Sequence, residues 1–173
     1  MMLEELGRKI KEVSYIEGDF TLKSGRKSNY IIDKYAFETQ PELLRAIAEE
    51  IAGRLDADVS RVAGVVLGGV PLATAVSIAS GLPFVIVKAA KKGYGTDNLI
   101  EGKVEPGENL ALVEDVGTTG GTVLQSIRTL KAAGAGKVQV FFVVDREEGL
   151  RENFEAEGYE YEALFTKTSL NIA

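Results

Sequence analysis

The chain has 173 residues, 45% of them hydrophobic and 27% charged, the proportions of one soluble globular domain. Twenty Lys and Arg against 26 Asp and Glu leave a formal net charge of −6, which argues against binding nucleic acid through a broad basic field. With no Cys and no His, disulfides, thiolate or imidazole metal sites, cysteine nucleophiles and the Ser-His-Asp triad are excluded.

Leu3, Leu6, Ile10 and Val13 fall on one stripe of a first helix, and the N-terminus carries no apolar block of the secretory type. The segment GDFTLKSGRKSNYIID, residues 18–33, reads as a hairpin turning near Ser24 and Gly25. A second helix is expected after Thr39, with Thr39 and Glu42 at capping spacing, Pro41 in the first turn, and Leu43, Ile47, Ile51 and Leu55 on its buried stripe. From residue 62 the pattern changes to short apolar runs. VAGVVL (62–67), PFVIV (83–87), LALV (110–113) and VQVFFVV (138–144) read as strands buried on both faces. Helices are expected between them at 71–80 and 120–133, so the fold class is α/β: a central, mainly parallel sheet flanked by helices. Residues 88–102 hold three Lys, three Gly and little apolar content, the make-up of a functional loop. No run approaches the roughly 20 apolar residues that span a bilayer. A cytoplasmic protein without membrane contact is expected, folded as a single domain over residues 1–173.

The chemistry concentrates in LALVEDVGTTGGTVLQSIRTLKAAGA, residues 110–135. A hydrophobic strand ends in two carboxylates, Glu114 and Asp115. Val116, Gly117, Thr118, Thr119, Gly120 and Gly121 then lead to a helix near Thr122. Backbone amides in a tight turn, added to the open donors of a helix start, hold a phosphate, and the threonine hydroxyls can add donors. The pattern lacks the Lys of a Walker loop and the three spaced glycines of a dinucleotide site. Carboxylates beside a phosphate turn suit a ligand with both a phosphate and vicinal hydroxyls, such as a sugar phosphate.

On these residues the chain resembles the type I phosphoribosyltransferases, whose motif for phosphoribosyl pyrophosphate (PRPP) is a hydrophobic strand, an acidic pair and a TTGG-type turn; VEDVGTTGGT at 113–122 matches it. The segment FTLKSGRKSNYIID at 20–33 resembles the N-terminal hairpin of orotate phosphoribosyltransferases. GGVPLA at 68–73 is similar to their pyrophosphate loop, KKGYGTDNLIEG at 91–102 to their mobile catalytic loop, and DREEG at 145–149 to a late segment that contacts orotate. The resemblance implies a small N-terminal helix-and-hairpin hood, about residues 1–38, over a core of about 39–173.

It also implies transfer of the phosphoribosyl group from PRPP to orotate, with Mg2+ held mainly by PRPP and water near Asp115 and no direct protein ligand. PRPP would meet Glu114, Asp115, the turn 116–122 and the loop residues Lys88, Lys91, Lys92 and Tyr94, and its pyrophosphate would meet Gly68, Gly69 and Val70. Orotate would meet Lys23, Tyr30, Ile31, Thr118 and Arg146, whose planar guanidinium suits a carboxylate. Glu114, Asp115, Lys91 and Lys92 would carry the catalysis. The loop departs from the family pattern. Aligned from the left, Val87 replaces an Arg; aligned back from Tyr94, Lys92 is the loop Lys and Ala89 falls where a Lys is usual. The resemblance further implies a homodimer whose loop serves the neighbouring site. Transfer to uracil or a purine is the enzymatic alternative, and a PRPP-binding regulator without catalysis the other.

Overall fold

The four apolar runs become the middle of one sheet in the computed structural model, which describes residues 1–21, 25, 27–88 and 98–172. They are β3 (Arg61–Val65), β4 (Phe84–Val87), β6 (Leu110–Gly117) and β7 (Val138–Asp145). A short β5 (Ile100–Glu101) lies antiparallel on β4, and β8 (Glu162–Thr166) lies parallel on β7. The strand order is therefore β5-β4-β3-β6-β7-β8. The contacts between β3 and β4, β3 and β6, and β6 and β7 are parallel, as the buried-strand composition requires.

Side chains alternate across this sheet with period two. Val62, Ala111, Val113, Phe141 and Val143 enter one core with Leu6 and Ile10 of α1 (Leu3–Ser14), Ile47 of α3 (Pro41–Ala52) and Leu72 and Val76 of α4 (Gly69–Ser80). Ala63, Leu110, Leu112, Val140 and Phe142 enter the other, with Val123, Ile127 and Leu130 of α5 (Gly121–Ala132) and Phe154 of α6 (Leu150–Ala156). Phe142, Phe154 and Tyr161 meet edge to face at centroid distances of 5.1–5.8 Å. The fully buried Phe142 and Phe154 each contribute about 1.5–3 kcal/mol of transfer free energy.

The hairpin forms from β1 (Tyr15–Thr21) and β2 (Lys27–Ile32), antiparallel and separate from the main sheet. Its Tyr30 is 4% exposed and packs into the first core. Between hairpin and α3 stands a short helix absent from the sequence reading, α2 (Lys34–Glu38), capped by the Asp33 carboxylate accepting from Tyr35 N–H.

Thr39 consequently does not cap α3. It closes α2, its hydroxyl donating to the Tyr35 carbonyl at 2.6 Å, and Gln40 takes the cap position without a side-chain bond. Pro41 explains the shift, because its ring forces the preceding residue into extended backbone. Helix α4 begins at Gly69, earlier than expected, and β3 ends at Val65 rather than residue 67. Strand β6 runs four residues beyond Val113, held by pairing of Val116 with Val144 and Gly117 with Asp145.

Candidate active site

Chain connections reverse direction between β3 and β6. From β3 the chain passes through α4 to β4 on one side, and from β6 through α5 to β7 on the other. Such a switch point opens a crevice at the carboxyl ends of the two strands. The turn at 66–68 and the segment 114–122 both lie there. A separate hollow lined by Glu49, Leu55, Val59, Ser80 and Leu82 lies at the helix ends by the start of β3.

Because β6 extends through the acidic pair, Glu114 and Asp115 point to opposite faces of the sheet. Asp115 follows Val113 toward the α2 and α4 side and is 2% exposed. Its Oδ2 accepts from the Lys34 ammonium at 2.8 Å and its Oδ1 from Val116 N–H at 2.5 Å. Glu114 is partly buried, and its Oε1 accepts from Asp115 N–H at 3.1 Å. Burial first, then the Asp115 charge, pushes the Glu114 carboxyl up to about 8. Glu38, 2% exposed, is also pushed up to about 8 by burial and by Asp115, and neither of its oxygens has a hydrogen-bond partner among the described residues. The cluster is therefore a Lys34–Asp115 ion pair beside two acids whose burial favours the protonated form.

The turn after β6 is open. Thr118, Thr119, Gly121 and Thr122 are exposed, while Gly117 is buried beneath them. Gly120 holds the left-handed conformation at the start of α5, with φ of 76°. A Cβ there would stand 2.5 Å from Leu150 and 2.6 Å from Phe154, so only glycine fits on both counts. Across the crevice Gly68 and Gly69 are buried and Val70 partly so, and a Cβ on Gly68 would overlap the Asp115 carboxylate. The bare backbone of Gly68 thus lies against the Asp115 side chain.

Arg146 follows β7 directly and is 7% exposed. Its N–H donates to the Gly117 carbonyl at 2.9 Å, its guanidinium carbon lies 4.8 Å from the Tyr30 ring centre, and its Nη2 meets Glu148 at 2.8 Å. Its Nε is buried without a partner among the described residues. The structure therefore brings Tyr30, Arg146 and the phosphate turn together, with Ile31 next to Tyr30 in β2 and partly buried. Lys88 lies at the end of β4 in an ion pair with Glu101 at 2.7 Å. Lys23, Lys91, Lys92 and Tyr94 lie outside the described residues.

Sequence reasoning missed Lys34, Glu38, Asp145 and Tyr161. The Tyr161 hydroxyl donates to Asp145 Oδ2 at 2.6 Å, and Asp145 Oδ1 accepts from Glu147 N–H, bracing the strand end that carries Arg146. Burial and the Asp145 carboxylate raise the Tyr161 phenol above its ordinary value. Lys34 and Glu38 sit four residues apart on a five-residue helix too short to show periodicity. No signal in the sequence marks them.

This arrangement of sheet, acidic pair and turn is that of a phosphoribosyltransferase, and residues 35–157 match the family model of the phosphoribosyl transferase domain. The orotate phosphoribosyltransferase of Methanocella arvoryzae is 47% identical over 167 residues, 96% of this chain and 95% of that protein. Among solved structures, the orotate phosphoribosyltransferase of Aeropyrum pernix aligns with a TM-score of 0.81 at 32% identity, covering 98% of this chain and 97% of that one. The Mycobacterium tuberculosis enzyme, solved in complex with PRPP, aligns with a TM-score of 0.76 at 30% identity over 98% of both chains. The chain belongs to the orotate phosphoribosyltransferase family.

Proposed function

We propose that the chain transfers the 5-phosphoribosyl group of PRPP to orotate, forming orotidine 5'-monophosphate and pyrophosphate, a step of pyrimidine nucleotide synthesis. The observation that carries this reading is the joining of Arg146, over the Tyr30 ring, to the phosphate turn through its bond to Gly117. A carboxylated planar base would then lie against Tyr30 with its charge toward the guanidinium. Amides and hydroxyls of residues 117–122 hold the 5'-phosphate, Glu114 and Asp115 accept from the ribose hydroxyls, and the backbone at Gly68, Gly69 and Val70 faces the pyrophosphate. A ring nitrogen of the orotate anion forms the bond to C1' while the bond from C1' to the pyrophosphate oxygen breaks, its electron pair leaving with pyrophosphate. No side-chain base is needed. The protein supplies orientation and charge.

Among the described residues no group of three or more His, Cys, Asp or Glu is placed to hold a metal ion, and both Asp115 oxygens have protein partners. That donor set fits Mg2+ held chiefly by PRPP oxygens and water beside Asp115. When bound, the ion neutralises charge on the pyrophosphate. A homodimer is part of the same reading, with Lys91 or Lys92 crossing to the partner's site. Supporting it, α4 carries no charged residue, its Ile78 is 80% exposed, and Val66 and Leu67 at its head are 43% and 63% exposed.

The test supplies purified protein with PRPP, Mg2+ and orotate, uracil or adenine in turn, reading pyrophosphate release. Orotate should turn over fastest. Faster release with uracil or adenine would reject the acceptor assignment.

A further inference from the structure

Lys34 belongs to no recognised motif, yet it stands where the two halves of the donor site meet. Its ammonium lies 2.8 Å from Asp115 Oδ2, and a Cβ built on Gly68 would be 3.0 Å from the same nitrogen. One cation therefore touches both the acidic end of β6 and the turn after β3. The Asp115 side chain is 3% exposed but that of Lys34 is 33% exposed, so the ammonium keeps an open side. It has three N–H donors, and the ion pair uses one. Burial works against its charge, but the Asp115 hydrogen bond and charge more than offset that, and Lys34 stays protonated.

Glu38, Glu114 and Asp115 line the junction, and among the described residues Lys34 is the one cation that hydrogen-bonds to the group. A polyanion docking here needs positive charge at its own end of the site, and the backbone at Gly68 offers only uncharged donors. We propose that Lys34 binds the pyrophosphate group of the donor directly, its resting partner Asp115 holding it in place against Gly68. This rests on the function proposed above. As the bond to C1' breaks, its electron pair settles on the pyrophosphate oxygen, and the fixed ammonium stabilises the charge that develops.

The experiment titrates inorganic pyrophosphate with Mg2+ into the unaltered protein and into Lys34→Gln, which keeps a donor for Asp115 but no charge. Pyrophosphate affinity should fall about tenfold or more, the loss of a charged hydrogen bond, while KM for orotate moves less than about twofold. Lys34→Arg should recover most of the affinity. Unchanged pyrophosphate affinity overturns the proposal, even where PRPP binding weakens, since Lys34 would then only orient Asp115. A second measurement uses the unaltered protein and so does not depend on the variants folding. Pyrophosphate should slow acetylation of Lys34 by acetic anhydride, read by mass spectrometry against Lys103, which is 78% exposed. Equal labelling with and without pyrophosphate overturns the proposal as well. Neither the pyrophosphate titration nor the acetylation involves orotate. Pyrophosphate binding through Lys34 in a protein inert toward orotate would therefore refute the acceptor and leave this contact standing.

Discussion

On the proposed function Arg146 serves the acceptor and Asp115 the donor, and each can be removed separately. Arg146→Ala should raise KM for orotate by roughly tenfold or more, the scale of a lost charged hydrogen bond, and move KM for PRPP by much less. Equal effects on both substrates would take Arg146 out of the base site. Asp115→Asn is nearly isosteric but leaves the Lys34 ammonium without its charge partner. Calorimetry with PRPP and Mg2+ should show binding weakened by roughly tenfold or more; affinity equal to the unaltered protein would make the acidic pair a bystander. Glu38 gives a pH signature. With its folded value near 8 against an ordinary 4.5, the folded protein keeps a proton that the unfolded chain releases. Its stabilising effect is complete below the unfolded value and is lost as pH rises toward and through 8. Melting temperature should therefore fall from about pH 5 to about pH 9, and fall less in Glu38→Gln, which cannot ionise. Parallel curves for the two proteins would show that Glu38 already shares its proton with the solvent.

The elements that could be read from sequence are those with one strong physical signature. The four buried strands showed as unbroken apolar runs, and α1 and α3 as stripes at helical spacing, because burial on both faces or on one face leaves those patterns. The hairpin and the β6 turn were legible from their glycines and hydroxyls. Elements held by tertiary contacts alone were not. Helix α6 buries only Leu150 and Phe154, β8 is partly exposed, and α2 is a single turn. The acidic pair reads as the end of its strand, because the apolar run stops at Val113, while the hydrogen-bonded ladder continues to Gly117 on pairing with β7. At this scale Gly120→Ala is the informative change. Its left-handed backbone and the contacts with Leu150 and Phe154 should cost about 1–3 kcal/mol, read as a lower urea midpoint. A midpoint equal to that of the unaltered protein would mean that α5 can begin differently.

For the whole molecule, the sharing of loops between subunits is open to a mixing test. Lys92→Ala and Asp115→Asn proteins, each impaired alone, should regain part of the activity when subunits exchange, because one composite site then has both an intact loop and an intact donor turn. No recovery, with exchange verified by mass spectrometry, would place each loop over its own subunit's site. Weak loss in Lys92→Ala with strong loss in Lys91→Ala would set the other loop register. A wider consequence follows from the bond between Arg146 and Gly117. Neighbouring strands stand about 4.8 Å apart whatever their side chains. On the proposed function, the reach from the sugar's anchor to the base's anchor is thus a ruler cut in backbone, with β6 at one mark and β7 at the next. Side chains at 145–148 could be exchanged to admit a different base while the distance along which the new bond forms stays the same.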